Sequence, residues 1–293
     1  MRLKQSTSFN VLCIDGGGIK GIIPLCVLVE IERLTGRQSC ELFQQINGTS
    51  TGGIIAALLA KGYSAKEVLD MYLLKGRDIF KPIFGGWLNP FTWGSGRYDR
   101  KVIDRMCDDM LGATKMGELK TQFFCTAVNM QDSQWTHFMK SYKPNYADRR
   151  VADLVKRTYS APTYFGYLTD SEGVWSDGGV GVQTCTLMQS YIETRRQGKA
   201  SYWILNLGCG YIDALNYKPG KFVLSQIADF VPIARDQSIW QQQNDCRELG
   251  VEFYTANILV DKKSNEMDCV DRIDILRQYG QTLSGQTMPM ILE

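Results

Sequence analysis

Apolar residues along the chain follow two periods in turn. FNVLCID, residues 9–15, is an apolar and β-branched run of the length of a buried strand. Three glycines follow it. Val27, Leu28, Ile31 and Leu34 then recur on one helical face. Pro24 sits where a first helical turn tolerates it, and Gly36 sits where a helix stops. QQING reads as a short strand closing in a tight turn, and TGGIIAALLA as a buried helix ended by Gly62. Ser64 and Glu67 form a capping box ahead of a helix carrying Val68, Met71 and Tyr72. A further helix is predicted over about 98–111. TQFFCTAVNM and QWTHFMK read as the strands of a hairpin. RVADLVKRTYS is a helix that must end near Ala161, because Pro162 disfavours helical geometry in the residue before it. GVWSDGG, SYWILNLGCG and EFYTANILV read as later strands. Strands alternating with helices predict an α/β fold, with a mainly parallel sheet covered by helices on both faces.

Residues 80–97, FKPIFGGWLNPFTWGSGR, show neither period and are rich in glycine, proline and aromatics. No repeat or composition shift marks a second domain, so residues 1–293 are expected to form one. Hydrophobic residues make up 44% and charged residues 22%, as in a soluble globular protein, and the net charge of +2 offers no basic face for a nucleic-acid polymer. None of the nine cysteines forms a C-x-x-C pair, which reads as buried reduced thiols in place of a disulfide framework or zinc site. MRLKQSTSFN lacks a signal-length apolar core, and IIPLCVLVEI is too short to span a bilayer. The expectation is a cytoplasmic protein that touches membranes peripherally.

Gly16, Gly18 and Gly21 satisfy G-x-G-x-x-G between a strand and a helix. One reading is a dinucleotide site, as in an oxidoreductase. It needs an acidic residue at the end of a second strand, and Glu41 stands near that spacing but before the strand-like segment. The other reading aims the same backbone N–H groups at the oxyanion of acyl transfer. That reading requires a nucleophile on a similar turn elsewhere.

INGTSTGGIIAALLA supplies one: Gly48, Ser50 and Gly52 form G-x-S-x-G between strand and helix. The single histidine, His137, precedes any strand-end acid that would follow the serine, so the usual Ser–acid–His order cannot be completed. A partly buried aspartate is a workable base instead. Asp15 and Asp177 both end strands ahead of glycines, and spacing alone leaves the choice between them open. Asp15 immediately precedes the glycine loop, a position suited to orienting it.

DGGGIKG, GTSTGG and SDGG, in this order, resemble the patatin-like phospholipases, and APTYF at residues 161–165 resembles a segment that family carries before its aspartate. The N-terminal part is similar to plant patatins and calcium-independent phospholipases A. The resemblance covers roughly residues 9–210 and implies a three-layer αβα fold: a catalytic core there and an extension over about 211–293 packed on it. It implies a lipid acyl hydrolase with Ser50 as nucleophile, Asp177 as base and Gly16, Gly17 and Gly18 as oxyanion donors, working without metal or cofactor. Lys20 takes the family's basic position, as a brace for the loop or a contact for a lipid phosphate. After SDGG this chain reads VGVQTCT where many relatives have Asn-Pro, a departure that falls on the neighbouring pocket wall. Trp87, Phe91 and Trp93 in the aromatic segment are expected beside the substrate as a lid or interfacial patch. Phospholipid or another acyl lipid is the implied substrate, with a regulatory partner or small-molecule activator among bacterial relatives. The competing readings are a non-catalytic lipid-binding or storage protein and the nucleotide-binding oxidoreductase.

Overall fold

The apolar run that opens the chain becomes β1 (Phe9–Ile14), and its alternation divides the molecule into layers. Leu12 and Ile14 point into a large core, and Val11 and Cys13 into a smaller one on the other face. The computed structural model describes residues 8–83, 96–132, 134–181, 183–213 and 223–292. After β1 come α1 (Ile22–Thr35), α2 (Ser39–Leu42), β2 (Gln45–Thr49), α3 (Thr51–Lys61), α4 (Ala65–Ile79) and α5 (Arg100–Leu111). Next are β3 (Gln122–Asn129), β4 (Thr136–Lys140), α6 (Pro144–Ala147), α7 (Val151–Thr158), β5 (Leu168–Asp170) and β6 (Gly173–Asp177). The chain closes with α8 (Leu187–Arg196), β7 (Tyr202–Leu207), α9 (Val223–Glu248), β8 (Phe253–Ala256) and α10 (Ile273–Leu292).

The pairs β1–β2, β1–β7, β2–β3 and β7–β8 are parallel. The antiparallel pairs β3–β4, β3–β6 and β5–β6 gather at one side. The large core lies between the sheet and the helices α1, α3, α4, α5, α7 and α10, and the small one between the sheet and α8–α9. This is the three-layer αβα arrangement with a mainly parallel sheet that the pattern predicts. The stop signals act as read: Gly36 and Gly62 take φ of 67° and 107° at the ends of α1 and α3, and Ser64 with Glu67 caps α4 in both directions.

The register along β3 sets the site. Ala127 and Val128 pair with β4 and also with β6, so those two strands lie on opposite edges of β3. Cys125 and Thr126 pair with β4 and β2 in the same way. Strands β2 and β6 therefore share one edge. They run toward each other, β2 ending opposite Thr126 and β6 ending opposite Ala127.

The short β5, a hairpin partner of β6, is not announced by the sequence pattern. The segment beyond residue 210 also does more than pack on a core, since β8 extends the sheet beside β7. Helix α10 lies along α1 at Gly280, where a Cβ would come within 2.7 Å of the Cys26 Cβ and 3.0 Å of the Ile23 carbonyl oxygen. Gly280→Val should therefore push these helices apart. We expect a loss of ~1–3 kcal/mol, read as a lower melting temperature and an earlier urea midpoint, with the slope of the urea transition unchanged.

Candidate active site

Ser50 occupies the turn between β2 and α3 at φ 56° and ψ −126°, a conformation that L side chains rarely adopt. The flanking glycines make the turn possible. A Cβ on Gly52 would lie 2.1 Å from the Ile14 carbonyl oxygen, and one on Gly48 would lie 2.3 Å from Gly52. The Ser50 N–H donates to Thr158 Oγ1 at 2.9 Å, which fixes the turn against α7. Ser50 itself is almost enclosed.

Because β6 ends where β2 ends, Asp177 arrives beside Ser50, with the serine hydroxyl as a polar neighbour of its carboxyl. Asp177 Oδ1 also accepts the Gly179 N–H at 2.7 Å. Burial raises the Asp177 pKa to about 6, with Ser50 and Gly179 pulling the other way. Gly178 turns the chain directly over Thr126, where a Cβ would lie 2.0 Å from the threonine oxygen. Asp15, the other strand-end acid, faces elsewhere. Its carboxyl is enclosed with Cys185 and Asn206 as polar neighbours, no hydrogen bond from the described residues reaches its oxygens, and burial raises its pKa to about 7.

The glycine turn packs against the serine, with a Cβ on Gly16 falling 3.2 Å from the Ser50 Cβ. Gly16 does not have a free N–H, however, because it donates to the Thr184 carbonyl at 3.1 Å. That removes Gly16 from the expected donor set. Among the described residues no hydrogen bond takes the N–H of Gly17 or Gly18. Lys20 is fully enclosed and donates to Asn265 Oδ1 at 2.8 Å. An ammonium with no exposed surface cannot meet a lipid headgroup, so Lys20 belongs to the bracing side of its two expected roles.

A narrow apolar pocket, partly open to solvent, runs from Ser50 and Gly18 along Ile54, Met71, Phe80 and Met106. Phe165, from the APTYF segment, also lines it, and Thr51 and Tyr72 hydrogen bond to each other in its wall. Trp87, Phe91 and Trp93 lie outside the described residues. His137 stands across β3 from Asp177, both paired with Ala127, at about two strand spacings or ~10 Å. Its Nε2 is 2.9 Å from Asp132, and its ring packs edge-on to Trp175. Glu41 caps α2 by accepting the Gln38 N–H at 2.8 Å, so it is not the strand-end acid a dinucleotide site requires. Sequence reasoning missed Thr158, Thr184, Asn265 and Met267. Each acts through a contact distant in sequence, and nothing local marks it.

The model of the patatin-like phospholipase family matches residues 12–184. With more than half of its length matched, the chain belongs to that family. A cGAMP-activated phospholipase of Pseudomonas aeruginosa (strain BWHPSA011 / Pa011) is 30% identical over 182 residues, 59% of this chain and 53% of the relative. One from Escherichia coli (strain TW11681) is 28% identical over 228 residues, 68% of this chain and 61% of the relative. Patatin-17 of Solanum cardiophyllum is 31% identical over 172 residues, 53% of this chain and 43% of that protein. The chain thus spans about half the length of the curated relatives it matches.

The buried carboxyl gives a stability test. Its folded pKa of about 6 exceeds the ordinary value of 3.8, so the folded chain holds this proton more tightly than the unfolded chain. The stability of the wild type then falls as pH rises through that window, by up to ~3 kcal/mol from this group. Asp177→Asn has no such proton and keeps an acceptor for Gly179. Urea unfolding should show Asp177→Asn gaining on the wild type between about pH 4 and pH 6 and holding that gain above. A difference that does not change with pH would contradict the burial argument.

Proposed function

We propose that the chain is a lipid acyl hydrolase that works through Ser50 and Asp177. The observation that carries this reading is the meeting of β2 and β6 on one edge of β3, which brings Ser50 and the buried Asp177 together beside a glycine turn whose Gly17 and Gly18 N–H groups no hydrogen bond takes among the described residues. Ser50 Oγ attacks the acyl carbonyl carbon while its proton passes to Asp177. The N–H groups of Gly17 and Gly18 hold the resulting oxyanion. The intermediate collapses, the C–O bond to the alcohol breaks, and the leaving oxygen takes the proton from Asp177. Water then attacks the acyl-serine, gives its proton to Asp177, and the acid leaves as Ser50 Oγ is reprotonated.

A pKa near 6 suits both halves of this cycle. The carboxylate is ionised at neutral pH, yet it is a stronger base than an exposed aspartate. The apolar lining of the pocket beside Ser50 suits an acyl chain, so the substrate class is an ester of a fatty acid, with phospholipids the first choice from the family. The storage-protein reading remains the outcome to be expected if the site does not turn over. Because two relatives are named as cGAMP-activated, assays belong with and without that nucleotide.

A fluorophosphonate probe should label one serine, and Ser50→Ala should abolish labelling. Asp177→Asn should slow labelling and ester hydrolysis by ~10²–10⁴-fold, and His137→Ala should change them by less than about threefold, as befits a residue across the strand. Loss of activity in His137→Ala would sink the assignment. For the wild type, log kcat/KM on a soluble ester should climb with unit slope at acid pH and level off above about pH 6, because only the ionised carboxylate accepts the proton. A profile flat from pH 4 to 7 would point to a different base.

A further inference from the structure

The family match ends at residue 184, yet two holds on the glycine turn come from beyond residue 260. The Ile19 N–H donates to the Met267 carbonyl at 2.8 Å. Gly18, at φ 62°, lies so close that a Cβ would sit 2.1 Å from that carbonyl oxygen. Lys20 then reaches inward from the turn to Asn265 Oδ1 at 2.8 Å. The same oxygen accepts from Arg235 at 3.1 Å, so one neutral amide oxygen serves two cations. Asp236 pairs with Arg235, and among the described residues no carboxylate pairs with Lys20. Burial, with repulsion from Arg235 added, lowers the Lys20 pKa to about 7.

As a source of stability this arrangement is poor. A buried cation with a single neutral acceptor gains less than an apolar side chain of the same volume. As a means of fixing position it is well built. The segment around Asn265 is braced by Asp261, which accepts from Ser264 Oγ at 2.7 Å, Arg272 at 2.7 Å and Tyr279 at 3.1 Å. Asp268 accepts from Arg97 at 2.9 Å and from the Tyr98 hydroxyl. The Tyr98 ring packs on Phe80 and Phe165, which line the pocket, at centroid distances of 5.3 and 6.0 Å. One short stretch thus holds the glycine turn on one side and the pocket wall on the other.

We propose that residues 265–268 position the turn for the reaction: Asn265 acting through Lys20, and Met267 acting through Ile19, keep the Gly17 and Gly18 N–H groups open toward the pocket that Ser50 lines. This rests on the Ser50–Asp177 reading and identifies what holds its oxyanion donors in place. Neither Asn265 nor Met267 lines the pocket. They act at a distance, through a turn whose misplacement by about 1 Å is enough to cost on the order of 10² in rate.

The test compares Asn265→Leu, Lys20→Met and the double variant with wild type and Ser50→Ala, reading kcat and KM separately on a soluble short-chain ester, with a thermal melt for each. Each single variant should lower kcat by ~10–100-fold and leave KM within about twofold, because the donors act on the transition state and not on bound substrate. The double variant should be no slower than the worse single, since both remove one contact. It should melt no lower than Asn265→Leu, because it leaves no ammonium buried without its acceptor. Asn265→Asp, which keeps an acceptor, should stay within about threefold of wild type in kcat. A double variant with wild-type kcat, or single variants that lose only stability or only KM, would overturn the proposal. If Asn265→Leu does not fold, Lys20→Met and the double carry the same comparison. Full turnover by Ser50→Ala would remove the underlying reading and this inference with it. An inactive Ser50→Ala beside an Asn265→Leu of normal kcat would remove this inference alone.

Discussion

Two strands that run toward each other along a single edge of β3 cannot both continue. Parallel β2 and antiparallel β6 meet between Thr126 and Ala127, and each must leave the sheet there. The departures are tight, which is why the chain uses Ser50 at positive φ on one side and a glycine pressed onto Thr126 on the other. The residues at the two bends, Ser50 and Asp177, have nowhere to be except beside each other. The pairing of serine and carboxylate is thus a consequence of topology, with Thr158 holding the serine turn and Gly179 the carboxylate.

The closeness that brings the pair together also shuts out water. Desolvation moves Asp177 upward, and it moves Asp15 and Lys20 toward their neutral forms as well. Three ionisable groups enclosed around two glycine-bearing turns are unfavourable for stability. The large core that gathers Leu12, Ile46, Ile55 and Leu205 offsets them. The chain therefore gathers its strained and desolvated groups at the candidate site, on a scaffold whose other parts follow ordinary rules.

Much of this was legible in the sequence because it rests on local physics. Strand and helix periods reflect which face is buried, and the capping box at Ser64 or the stop at Gly36 reflects backbone groups a few residues apart. The two glycine-rich turns stand out because no other residue fits them. Spacing alone did not choose between Asp15 and Asp177, since both end strands before glycines; the family resemblance pointed to Asp177. The register on β3 is what brings Asp177 beside Ser50, and register is a long-range property. The involvement of Gly16 was misread for a related reason: its N–H is taken by Thr184, from a loop that follows β6. The bonds from Asn265 and Met267 join positions about 245 residues apart and leave no local trace.

The most direct test of a serine-centred mechanism is to see the acyl group on the enzyme. The protein is mixed with excess of an activated fatty-acid ester and quenched in acid within the first turnovers. Intact-mass measurement and peptide mapping then follow. The account predicts one acyl group per chain, carried by the peptide that contains Ser50. Steady ester hydrolysis with no covalent acyl species under slow-deacylation conditions, or an acyl group on any other residue, would contradict it.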